Sequence, residues 1–73
     1  MKSIEVMASF YKGNVEFAGI TIDKMVYKVS KSKKISADKF NNKALIYFEI
    51  SSKEKIFIIA MDPFTLEWLL INE

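Results

Sequence analysis

The groups in this chain that could do chemistry are serines beside lysines and a few scattered carboxylates. Ser30-Lys31, Ser32-Lys33 and Ser52-Lys53 are adjacent pairs. A lysine-activated serine needs a buried amine with a lowered pKa, which neighbours in polar stretches do not supply. Glu5, Glu16 and Glu49 fall in alternating segments, where cross-strand proximity could make an acid–base pair. The simpler reading of each is a solvent-facing strand position. There is no histidine and no cysteine, which removes the usual neutral-pH base and the usual structural zinc site. Gly13 and Gly19 are the only glycines, too few for a phosphate-cradling loop. The expectation is a protein that is not an enzyme and uses no cofactor and no metal.

Binding chemistry is better represented. Residues 28–43 hold six lysines against Asp38 alone, a net +5 in a chain whose total is +2, so the remainder carries −3. Such a segment can neutralise phosphates, or it can be a solvated loop. All eleven basic residues are lysine, and without arginine the bidentate reading of guanine is not available. Non-specific nucleic-acid binding would use Lys24, Lys28, Lys31, Lys33 and Lys34 around Tyr27, an aromatic flanked by lysines on a strand. The second candidate surface is the tail, DPFTLEWLLINE, which reads as a helix over about 63–71 with only Thr65 and Glu67 polar. A surface helix normally keeps a polar face. Phe64, Trp68 and Leu69 are therefore candidates for a protein-contact patch, with tryptophan enriched at interface hot spots; the alternative is a helix that caps the end of a barrel.

The elements that must position these groups are mostly strands. Ile4, Val6, Ala8 and Phe10 alternate with Glu5, Ser9 and Tyr11, and Gly13-Asn14 suits a tight turn into Val15-Glu16-Phe17, which predicts a first hairpin. Ile20 and Ile22 lie on even positions but Met25, Tyr27 and Val29 on odd ones, so the register must break near Asp23-Lys24. Ser36 can cap a short helical turn at Ala37-Asp38-Lys39, with Ile35 and Phe40 as a hydrophobic staple. Residues 30–43 are thus a basic linker pinned at one point. Ala44 to Ser51 alternates, while KIFIIAM is apolar on both faces and belongs in the middle of a sheet; the two pair as a second hairpin. In the tail, Asp62 as N-cap and Pro63 at the first helical position favour helix. Phe64, Leu66, Trp68 and Leu70 also alternate as a strand would, but leucine and glutamate favour helix and proline disfavours a strand interior.

Tyr11-Lys12-Gly13, Asp23-Lys24 and Met25-Val26-Tyr27-Lys28-Val29 resemble the order of parts in the small archaeal chromatin proteins of SH3-like barrel fold. The likeness covers about twenty residues. It implies a small barrel, and it places a DNA-wedging surface on Tyr27 and Val29. The strand tryptophan and the arginines that such proteins use on DNA are missing here.

Seventy-three residues make one small β-rich domain, 1–73. A chain of this size buries only about 60% of its unfolded surface, so an apolar content of 51% implies very efficient packing, self-association or a partner. The fold class expected is mainly β with a short C-terminal helix: a five-stranded antiparallel small barrel or curled sheet, with an SH3-like barrel as one form. The longest apolar run, Ile56 to Met61, is far short of the roughly 20 residues of a membrane helix. No secretory h-region opens the chain and there is no cysteine, which predicts a cytoplasmic protein without a membrane partner. Lysine without arginine, among many Ile, Phe and Asn, points to an AT-rich coding sequence, as in low-GC bacteria and their phages. Two functions fit: a non-enzymatic protein-interaction module such as a small adaptor or inhibitor, or a non-specific nucleic-acid-binding barrel.

Overall fold

Tight turns set the topology of the computed structural model, which describes residues 2–72. Lys12-Gly13 (φ 48° and 80°) joins β1 (Lys2–Tyr11) to β2 (Asn14–Ile22). Asp23-Lys24 (φ 50° and 69°) joins β2 to β3 (Met25–Lys28). Left-handed residues at both central positions match the right-handed twist of the flanking strands, which is why two-residue hairpins use them. Lys53-Glu54 closes the third hairpin, between β5 (Ile46–Ser52) and β6 (Lys55–Met61). The first hairpin, the break at Asp23-Lys24 and the β5–β6 pair all stand where alternation and turn chemistry place them.

Two expectations are corrected. Among the described residues the sheet has seven strands and not five, in the order β3-β2-β1-β7-β6-β5-β4. One added strand is β4 (Lys31–Ile35), which turns the front of the basic linker into an edge strand on β5. The other is β7 (Trp68–Leu70), which stands where the C-terminal helix over 63–71 was expected. Asp62 does cap a turn: its Oδ1 accepts from Phe64 N at 2.8 Å, and its carbonyl accepts from Leu66 N at 2.7 Å. The turn then stops, because Leu66 adopts φ 63° and the chain reverses into β7. The physical reason lies in the neighbours. Trp68–Leu70 pair with β6 on one side and with Lys2–Ile4 of β1 on the other. A lone nine-residue helix is marginal, and it would have left both edges without partners. Beyond β7, Ile71 N donates to Ile58 O and Ile58 N donates to Asn72 Oδ1.

The sheet curls into a half-barrel whose end strands, β3 and β4, are consecutive in the chain. Val29 N donates to Ala18 O on β2, and the next residue, Ser30, donates its N–H to Ser51 O on β5. Below that joint β2 and β4 part company. The concave face holds the main core, centred on the fully buried Ile20, Ile50 and Ile59, each contributing about 1.5–3 kcal/mol by burial. A smaller core lies on the convex side, where Ile35, Ala37 and Phe40 pack over Leu45, Tyr47 and Ala60. Here the staple acts as expected: Ser36 Oγ accepts from Asp38 N, Phe40 stacks on Tyr47 at 4.0 Å, and the Tyr47 hydroxyl donates to Asn42 O. β6 buries residues of both parities where it lies between β5 and β7, at Ile59–Met61, which explains the apolar sequence there, while Ile56 at its start stays exposed.

Candidate functional site

A bulge in the first hairpin begins the story of the open side of the barrel. Met7 pairs with Gly19 but Ala8 pairs with Phe17, so Ala18 is the extra residue on β2. The bulge switches the inward face of β2 from Val15 and Phe17 to Ile20 and Ile22. It also bends the ribbon, as bulges do. β3 pairs only with Gly19–Ile22, so Asn14–Phe17 has no strand on that edge among the described residues. β4 likewise has β5 as its one partner. Between the two free edges lies a cleft of about 390 Å³. Val15, Phe17, Ile46 and Phe48 form its apolar wall and floor, with Ser32 and Lys34 on the β4 side. Phe17 meets Phe48 edge-on at 5.0 Å and Trp68 at 5.5 Å, which fixes the floor. Phe10, 61% exposed, forms the lip.

The candidate protein-contact residues separate. Trp68 and Leu69 are half-buried on opposite faces of β7, Trp68 against the main core and Leu69 against the outer one. Phe64 is 89% exposed at the tip of the Asp62 turn. Leu66, which the sequence reading did not single out, is 67% exposed beside it. Its signal was Asp62-Pro63, a turn opening as well as a helix opening. The turn is braced throughout: besides the two bonds named above, Asp62 N donates to Glu67 O at 2.9 Å and Glu67 N donates to Thr65 Oγ1.

The candidate nucleic-acid residues do not converge on one surface. Lys24 sits at a hairpin turn beside Asp23, whose carboxylate pairs with Lys2 at 2.6 Å. Tyr27 turns inward opposite Ile20, packs on Phe57 at 5.0 Å, and has Lys55 Nζ 5.3 Å from its ring. Val29, the other position implied by the chromatin-protein resemblance, is half-buried against the same core. Lys28 lies with Tyr27 along a second cleft, of about 500 Å³, facing the Lys53-Glu54 turn. Lys31, Lys33 and Lys34 share β4. Lys33 stands opposite Glu49 with Nζ 3.7 Å from its carboxylate, while Lys34 is paired with the inward-facing Phe48.

The carboxylates considered for acid–base work are dispersed across the sheet. Glu5 lies opposite Thr21, Glu16 opposite Ser9, and Glu49 opposite Lys33 and Ile58. Ser30 Oγ donates to Ser51 O, and Ser52 is buried on the inner face of β5. Among the described residues no three carboxylates gather where they could hold a metal ion, and no helix is long and apolar enough to cross a membrane. Compared with known proteins, the chain matches no family model, no curated protein and no solved structure.

Proposed function

We propose that this chain is a non-enzymatic protein-interaction module, an adaptor or inhibitor, that presents the Phe64–Leu66 turn to an apolar pocket of a partner protein. The observation that carries the reading is Leu66. A bulky residue at φ 63° with most of its side chain in water is costly to the isolated fold and gains little burial. Strain of that kind is found where a surface is held ready for a ligand. The Asp62 hydrogen bonds support the same reading, since a preordered loop loses less entropy when it binds. Trp68 and Leu69 anchor the turn from within the sheet.

The test places a photo-crosslinking amino acid at position 67, whose exposed side chain makes none of the turn's bonds named above, and irradiates cells that express the chain. The expected result is a discrete adduct that excess unmodified protein suppresses and a Phe64→Ser/Leu66→Ser variant does not. Both side chains are exposed, so the variant keeps its fold, which circular dichroism verifies. Equal suppression by the variant would remove the turn from the interface.

Non-specific nucleic-acid binding is the second reading, supported by Lys31, Lys33 and Lys34 on one edge strand. Against it, Tyr27 turns inward to pack on Phe57 at 5.0 Å, with Lys55 Nζ 5.3 Å from its ring, which leaves less of the ring to stack on a base. Anisotropy of a labelled duplex and a labelled single strand at two salt concentrations decides it. Phosphate contacts require a log–log slope of about −0.9 per contact on duplex.

A further inference from the structure

We infer that the cleft between β2 and β4 binds an extended acidic–apolar segment of another protein, taken in as an added strand along β4. This site is separate from the Phe64–Leu66 turn and does not depend on it. Three observations converge there. Both flanks of the cleft are free strand edges, so a peptide laid along β4 finds unpaired backbone donors and acceptors, the source of affinity in strand addition. The floor is apolar and held rigid by the Phe17–Phe48 and Phe17–Trp68 contacts, so side chains of one parity have a place to insert. The β4 flank is cationic: Lys31 and Lys33 stand opposite Ser51 and Glu49 on the outer face, Lys34 stands opposite the inward-facing Phe48, and Glu49 is paired with Lys33 alone.

The charge selects the occupant. A second copy of this chain adding β4 against β4 would set lysine against lysine, an arrangement edge strands use to prevent pairing. A segment alternating apolar residues with Asp or Glu instead places carboxylates beside Lys31 and Lys33 while its apolar residues enter the cleft. Pairing with the five residues of β4 requires a segment of similar length, about 17 Å extended.

The experiment selects binders from a displayed library of random peptides of roughly seven residues, long enough to span β4. Enriched peptides are then synthesised and measured by fluorescence anisotropy against the full chain. The expected outcome is enrichment of sequences alternating acidic and apolar residues. N-methylation of their backbone, or Lys31→Glu/Lys33→Gln in the protein, should weaken binding at least roughly tenfold. The same charge change at Lys39 and Lys53, away from the cleft, should leave affinity unchanged, as should Phe64→Ser/Leu66→Ser. Amide shifts on titration should concentrate at Lys31–Ile35. No enrichment, enrichment without alternation, indifference to N-methylation, or displacement by a single-stranded oligonucleotide at equal concentration would each overturn the inference. The last of these would reassign the lysines to nucleic acid.

Discussion

Replacing Leu66 by glycine and, separately, by alanine tests the central structural statement about the Asp62 turn. Both substitutions remove the same exposed side chain, so whatever Leu66 contributes by packing is lost equally and the difference reports the backbone. At an ordinary position alanine is the more stable by about 0.5–1 kcal/mol, because glycine loses more freedom on folding. At φ 63° the Cβ clash of a non-glycine residue costs about 1–2 kcal/mol. The sign therefore reverses, and Leu66→Gly should exceed Leu66→Ala in stability by about 0.5–1 kcal/mol. For a domain of this size that separates the melting temperatures by roughly 2–8 °C. Urea unfolding followed by circular dichroism reads the same difference as a shift of midpoint with unchanged slope. A result in which the alanine variant equals or exceeds the glycine variant would refute the left-handed turn, and with it the strain on which the interaction surface was argued. Both variants should weaken partner binding, since both delete the leucine side chain.

Other expectations follow from the packing. Leu70→Ala, at a position 3% exposed between β6 and β1, should lose about 2–5 kcal/mol in urea unfolding. Gly19→Ala should destabilise by about 1 kcal/mol, because the new Cβ would sit 3.3 Å from the Tyr27 carbonyl oxygen of the paired strand, where backbone must shift to admit it. Phe40→Ala removes the stack on Tyr47 and should free residues 36–45 without unfolding the sheet; faster amide exchange confined to that segment and to Tyr47 is the readout.

How much of this was legible in the chain varies by segment. Alternation and glycine at a turn were sufficient for β1–β2. The apolar run of β6 announced a strand inside the sheet, and its C-terminal half, Ile59 to Met61, is buried on both faces between β5 and β7, while Ile56 at its start is exposed. The switch of parity from Val15 and Phe17 to Ile20 and Ile22 was present in the sequence and marks the Ala18 bulge, but only the later switch near Asp23 was drawn from it. β4 was hidden because KSKKI reads as polar linker. An edge strand needs apolar residues on neither face when its inner side borders an open cleft, and lysines suit such an edge. β7 was hidden by local signals that were correct as far as they went. Asp62-Pro63 does start a turn, yet the choice between helix and strand at Trp68 was settled by β1 and β6, partners too distant in sequence for a local pattern to report. The exposed turn was only partly legible: Phe64 was named from the sequence as a contact candidate, while the exposure of Leu66 and the cleft emerge only from the topology.

The position of β7 has a consequence for how the molecule comes into being. The strand in the middle of the sheet is made of residues 68–70, and its partner in β1 is residues 2–4. The β1–β3 ribbon and the β4–β6 ribbon can each form locally and meet at Val29 and Ser30, but the other side of the sheet is not closed until β7 pairs with both β1 and β6. Their inner faces must wait, apolar and half-covered, for the closing stitch. Pairing Lys2–Ile4 with Trp68–Leu70, strands far apart in sequence, is the slow step expected of such a layout. Folding should therefore be abrupt, with the two ribbons most prone to misassociation just before β7 docks between them.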